Sequence, residues 1–179
     1  VYANGQGGLL DVEIDPDFAK NRFVYLSYSE AGTDGLAGTV VMRGKLNGNA
    51  LQNSQILFRQ MPKLSSGAHF GSRLVFDKSG HLFVTLGENN NRITAQFLDH
   101  HQGKVVRIKP DGSIPKDNPF IGNTNAKPEI WSYGHRNPQG AAMRPGTNDL
   151  WVTEHGPRGG DELNRVLAGR NFGWPLRSY

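Results

Sequence analysis

Apolar residues in this chain rarely recur at the three-to-four-residue spacing of a helix. They come instead in short alternating or continuous runs, set apart by turn residues. GLLDVEIDPDF leads into FVYLSYSE, SRLVFDKSG into HLFVTLGE, and QGAAMRPGTND into LWVTEHG. Each pair reads as a hairpin: a strand, a turn built from Asp, Pro or Gly, then an aromatic or aliphatic strand that ends in Ser or Thr and Glu. Leu10, Leu74 and Ala142 hold equivalent places in the three pairs, 64 and 68 residues apart.

Two further strands fit between successive hairpins. TVVMRGKL and SQILFRQ follow the first pair, and GKVVRIKPDGSI and AKPEIWSYG follow the second. The repeating unit is therefore four antiparallel strands, present between two and three times. Tandem four-stranded sheets are the signature of a β-propeller. The period exceeds the usual blade length, so long loops must decorate the blades. A β-sandwich would supply the strands without explaining the repeat. The expected fold is all-β: one domain over residues 1–179, holding about three propeller blades.

Propeller geometry sorts the polar residues. The segment entering a blade's first strand and the loop leaving its second strand lie on the same face, close to the axis. Gln6, His69 and the Arg136–Asn137 pair enter first strands, while Glu88 and the loop EHGPRGGDE leave second strands. Polar groups that converge on a channel mouth mark a candidate binding site.

Composition narrows the classes. A chain of 179 residues can bury a sizeable core. There is no cysteine, which excludes a disulfide framework and thiolate metal sites and fits either cytoplasm or periplasm. No apolar run has the length of a membrane span. The net charge is +4, from scattered Lys and Arg without aromatic interleaving. That pattern argues against a nucleic-acid partner and leaves a mildly positive surface or an anion site. The chain opens abruptly on VYANGQGGLL and stops on NFGWPLRSY without a closing element. It reads as an internal piece of a longer protein, so the missing leader leaves location open.

The segments GQGGLLDV, SSGAHFGSRLVF, LGENNNR, QGKVVRI, IWSYGHRNPQG and EHGPRGGDELN, followed by GRNFGWP, resemble the soluble aldose sugar dehydrogenases. These belong to the glucose/sorbosone dehydrogenase family of pyrroloquinoline quinone (PQQ) enzymes. The likeness runs through the whole chain in order, and the combination of GHRNPQG, EHGPRGGDE and NFGWP is its most specific part. It implies half of a six-bladed propeller, PQQ and calcium as cofactors, an aldose substrate, an external electron acceptor and a periplasmic location. The oligomeric state, monomer or homodimer, stays open.

The resemblance also implies roles. His69 matches the base that takes the proton of the anomeric hydroxyl, and histidine's titration range suits that task. Glu88 matches a carboxylate that orients this base. Gln6 matches a contact to PQQ or substrate, and Arg136 and Asn137 match residues that hold PQQ from the channel side. Gly156 and Pro157 match positions whose carbonyls bind the PQQ-linked calcium. Glu162 matches a carboxylate ligand of a second calcium, with Phe172 standing where the family often has tyrosine, a change without consequence if the ligand there is the main-chain carbonyl. Ala68 departs from the family, which often has Asn or Asp before the histidine. The family's further cationic PQQ contacts belong to later blades.

Blander readings stand beside these. His69 could cap a strand, Glu88 and the Asp161–Glu162 pair could be solvated turn acids, Gln6 a polar turn residue, and Arg136 a tie between blades. Asn89, Asn90 and Asn91 would shape their loop. Gln139 is a candidate tie for the Arg136 loop, and His155 a candidate cofactor neighbour. His81 reads as surface, His135 as packed, and His100 and His101 as an improbable metal pair. Trp131, Trp151 and Trp174 read as core. Two rival functions fit part of the pattern: a metal-dependent propeller hydrolase of sugar lactones, and a truncated, non-catalytic propeller.

Overall fold

The computed structural model describes residues 1–177. Blade 1 is a meander of β1 (Leu9–Ile14), β2 (Phe23–Ala31), β3 (Ala37–Asn47) and β4 (Ala50–Arg59). Blade 2 consists of β5 (Gly71–Phe76), β6 (Leu82–Leu86), β7 (Lys104–Ile108) and β8 (Ile130–Tyr133). Blade 3 holds β9 (Pro138–Met143), β10 (Leu150–Glu154) and β11 (Glu162–Val166). All neighbouring strands pair antiparallel. The first strands lie side by side, with β5 touching both β1 and β9. This is an open arc of three propeller blades, as the repeat predicts, and the sandwich alternative falls away. No helix among the described residues is long and apolar enough to cross a membrane.

The middle blade shows how the pattern makes the arc. Every residue of β6 (LFVTL) and β7 (KVVRI) is buried. Alternation then divides them between two cores. Leu82, Val84, Leu86, Val106 and Ile108 pack with Tyr25, Val41 and Phe58 of blade 1. Phe83 and Val105 face the other way, onto Leu150, Val152 and Val166 of blade 3. A sheet covered on both faces needs apolar residues at successive positions, hence the near-continuous runs. Blade 1 is covered on one side only, and Leu9, Val12 and Ile14 of β1 stay exposed.

Three local features differ from the sequence expectation. The DPDFAKNR turn winds into a single helical turn, α1 (Phe18–Asn21), because the Asp15 carboxylate accepts bonds from Asp17 N, Asn21 Nδ2 and the Tyr25 hydroxyl. β7 ends at Ile108, since Lys109–Ser113 closes a tight turn. Glu162, expected in a loop, is the first residue of β11.

Blades 1 and 2 are also tied by His101, which is 3% exposed. The Met61 N–H donates to its Nδ1 at 2.8 Å, and its Nε2–H donates to Glu129 at 2.7 Å. Both nitrogens of the neutral ring are thus used, and a second proton would face the Met61 N–H. Burial lowers the pKa below the ordinary 6.5; Glu129 opposes that shift, and Lys127 and Lys104 add to it. The unfolded chain therefore takes up the proton first. The tie contributes fully above about pH 6.5 and is lost as pH falls below it. Urea midpoints taken from pH 7.5 down to 5.5 should fall more steeply for the natural protein than for His101→Gln; identical slopes would exclude His101 as the cause.

Candidate active site

Five of the expected residues meet between blades 2 and 3. Arg136, Gly156, Pro157, Glu162 and Phe172 line one pocket, together with Glu154 and Trp174. Arg136 enters β9 directly after the fully buried His135. Its Nη1 donates to the His155 carbonyl at 3.1 Å, and its Nε is buried without a partner. The guanidinium lies over the Trp174 ring, 5.4 Å from the centroid, with Arg92 at 4.7 Å from the same centroid. Trp174 is thus buried, as expected, and also forms a wall of the pocket. It gets there because the NFGWP segment folds back along blade 2, where Phe172 N donates to Tyr133 O and Trp174 N to Gly134 O.

Gly156 and Pro157 sit on a closed turn. Asp161 Oδ1 accepts the Gly156 N–H at 3.0 Å, and a Cβ on Gly156 would collide with the Gly159 carbonyl. Among the described residues, the carbonyls of Gly156, Pro157 and Phe172 accept no hydrogen bond. Glu162 lies opposite Glu154 on one rung of the β10–β11 pair. Two carboxylates directly across a rung repel unless a cation lies near them. Oxygen donors of this kind suit calcium. The buried, unpartnered Arg136 Nε suits an anionic or quinoid oxygen, so the chemistry of the pocket fits both implied cofactors.

The other expected residues gather around His69, where blade 2 begins. His69 has φ 55°, in the left-handed region. Its N–H donates to Gln6 Oε1 at 2.8 Å, and its carbonyl accepts from Asn89 Nδ2 at 3.1 Å. Its Nδ1 lies 3.1 Å from Glu88 Oε2, a carboxylate that is 1% exposed. With Nδ1 committed to Glu88, Nε2 is the nitrogen left for chemistry. Asn89, at φ 51°, shapes this loop as expected and also bonds the Ala68 carbonyl. Residues held in such backbone conformations need a surrounding structure that fixes them.

The two clusters are joined. Asn137 Oδ1 accepts the Gly71 N–H at 3.1 Å, and the Arg136 carbonyl accepts the Glu88 N–H at 3.0 Å. Gly87 makes the junction possible: a Cβ there would strike the His69 carbonyl and lie 2.9 Å from Asn137 Oδ1. Asn137 and Gln6 thus act on the main chain around His69. Gln139 does tie down the loop, through its Oε1 and His155 Nε2 at 2.9 Å. His81 pairs with Asp77, and His135 is stacked on Phe172. His100 and His101 diverge to Asp99 and Glu129.

Glu154 escaped the sequence reading. It is 6% exposed and accepts the Arg136 N–H at 3.0 Å. A signal was present, because the second strand of every hairpin ends in Glu. Glu30 pairs with Lys63 and Arg59, Glu88 with His69, and Glu154 with the Arg136 main chain.

The family profile for "Glucose / Sorbosone dehydrogenase" matches residues 1–179. An aldose sugar dehydrogenase of Escherichia coli is 59% identical over 100% of the chain, which covers 49% of that relative. Quinoprotein glucose dehydrogenase B of Acinetobacter calcoaceticus is 34% identical over 97% of the chain, covering 41% of that relative. The PQQ-bound aldose sugar dehydrogenase of Streptomyces coelicolor superimposes with a TM-score of 0.86 at 32% identity, over 99% of this chain and 51% of that one. The chain spans about half the length of the relatives it matches. It belongs to the glucose/sorbosone dehydrogenase family.

Proposed function

We propose that these blades carry the base and part of the cofactor grip of a PQQ- and calcium-dependent dehydrogenase that oxidises aldoses at the anomeric carbon to lactones. The observation that carries this reading is the His69 imidazole, fixed through Nδ1 by buried Glu88 and through its main chain by Gln6 and Asn89. The family match and the PQQ-bound relative support it. When bound, PQQ supplies a quinone that takes the two electrons of the sugar C–H bond as hydride. His69 Nε2 removes the anomeric hydroxyl proton, and Glu88 steadies the resulting imidazolium. Arg136 would hold the cofactor's oxygens by charge-assisted bonds, with Asn137 fixing the junction beneath it. The carbonyls of Gly156 and Pro157 would hold the calcium that polarises the quinone. Glu162 and the Phe172 carbonyl would hold a second calcium. An external acceptor would then take the electrons, and a periplasmic location is part of the proposal.

The lactone hydrolase reading relies on converging carboxylates. Glu88 is paired with His69, and of the two acids that do meet, Glu154 is engaged by the Arg136 N–H and Glu162 by Asn164. The deciding experiment is a PQQ titration followed by absorbance, with calcium and then with a chelator, and glucose added last. Calcium-dependent binding and sugar-driven reduction of the quinone are expected. Lactone opening in the absence of PQQ would favour the hydrolase, and failure to bind PQQ would sink the dehydrogenase.

Calcium should also stabilise the fold. At free calcium a hundred times its dissociation constant, the gain is about 2.7 kcal/mol. Much of that gain should vanish in Glu162→Gln. An unfolding midpoint that ignores calcium in both proteins would remove Glu162 from the ligand set.

A further inference from the structure

Glu154 is a buried carboxylate that the proposed mechanism leaves without a task. A register shift between Thr153 and Glu154 sets it opposite Pro138, out of step with the regular pairing of β9 and β10. Such irregularities re-aim a side chain. Here the carboxylate ends inside the blade 2–blade 3 seam and on the wall of the Arg136 pocket. One oxygen, Oε2, accepts the Arg136 N–H at 3.0 Å and lies 3.4 Å from His135 Nδ1. His135 is itself locked. Its Nε2 is 2.8 Å from the Ser132 hydroxyl, and its ring stacks on Phe172 at 4.5 Å. The chain of contacts runs from β8 through His135 and Glu154 to the main chain of Arg136.

We propose that Glu154 is a positioning residue for Arg136. It pins the Arg136 main chain so that the guanidinium lies over Trp174 on the wall of the pocket. The inference rests on the cofactor reading only for what Arg136 then holds; the positioning itself does not depend on it. Glutamine can replace Glu154 in this role. Its carbonyl oxygen, in the place of Oε2, accepts the Arg136 N–H and still faces His135 Nδ1, which can carry the ring proton while Ser132 donates to Nε2. Alanine cannot.

The test compares Glu154→Ala, Glu154→Gln and Val152→Ala. Val152 lies on the same strand, in the core and away from Arg136, and its truncation measures the effect of lost stability alone. Hydrogen exchange of the Arg136 amide and the NMR signal of its Nε–H report its positioning without any cofactor. Glu154→Ala should speed amide exchange and weaken PQQ binding by about 10-fold or more, the scale set by one lost bond to a charged group. Glu154→Gln should restore both to within about 3-fold, and Val152→Ala should leave both near the natural values. Unchanged exchange in Glu154→Ala, or equal losses in Val152→Ala, would overturn the proposal. If the natural protein binds no PQQ, the cofactor reading fails and the exchange data still decide on Glu154.

Discussion

Replacing His69 by asparagine is expected to lower kcat roughly 10²–10⁴-fold, the usual worth of a positioned general base. PQQ affinity should stay near its natural value. Asparagine is the better probe than alanine. His69 sits at φ 55°, where asparagine is tolerated and alanine adds strain. The Gln6 and Asn89 bonds go to the main chain of His69, so they survive the change. Stopped-flow reduction of bound quinone by glucose, in a form of the protein that turns over, isolates the step. An unaltered reduction rate would strip His69 of its role. Glu88→Gln should fall between the two, because a neutral partner still orients Nδ1 but no longer offsets a charged ring.

Replacing Arg136 by methionine is expected to weaken PQQ binding by about 10- to 100-fold, the loss of one or two charge-assisted hydrogen bonds. The long apolar side chain can still cover Trp174, so the fold should hold. Arg136→Lys should recover little, since a point charge cannot both lie on the indole and present a fork to the ligand. Equilibrium titration of the three proteins checks this. Equal affinities would show Arg136 to be a structural tie within blade 3, bonded to the His155 carbonyl. His69→Asn should lose rate and keep affinity, and Arg136→Met should do the reverse.

The blades were legible because burial on both faces writes itself into LFVTL and KVVRI, and because turn residues recur after each first strand. The site was legible where a residue's place in the repeat fixes its place in space. Gln6, His69, Glu88 and Asn137 form one network for that reason. What stayed hidden depends on contacts that no local pattern encodes. Glu154 turns inward through a register shift, and Trp174 becomes a pocket wall because its segment returns to β8. His101, weak as a metal ligand in the sequence, takes as partners Glu129 and the amide of Met61, forty positions away. Asp15 gathers the DPDFAKNR turn into a helix by side-chain bonds that a propensity reading does not register.

The bonds within each sheet join strands that are neighbours in sequence. Two of the bonds that fix the main chain around His69 join different blades: Gln6 to His69 across 63 positions, and Asn137 to Gly71 across 66. Sheets and site therefore belong to different cooperative units. A slight parting of blades 1, 2 and 3 would leave every strand ladder intact while releasing the His69 backbone from its left-handed geometry. Long-range closures of this kind form late, after the local meanders. The bonds from Gln6 and Asn137 would thus serve as a gauge of how tightly the blades are docked, and heat or mild denaturant should silence the site before circular dichroism records any loss of strand.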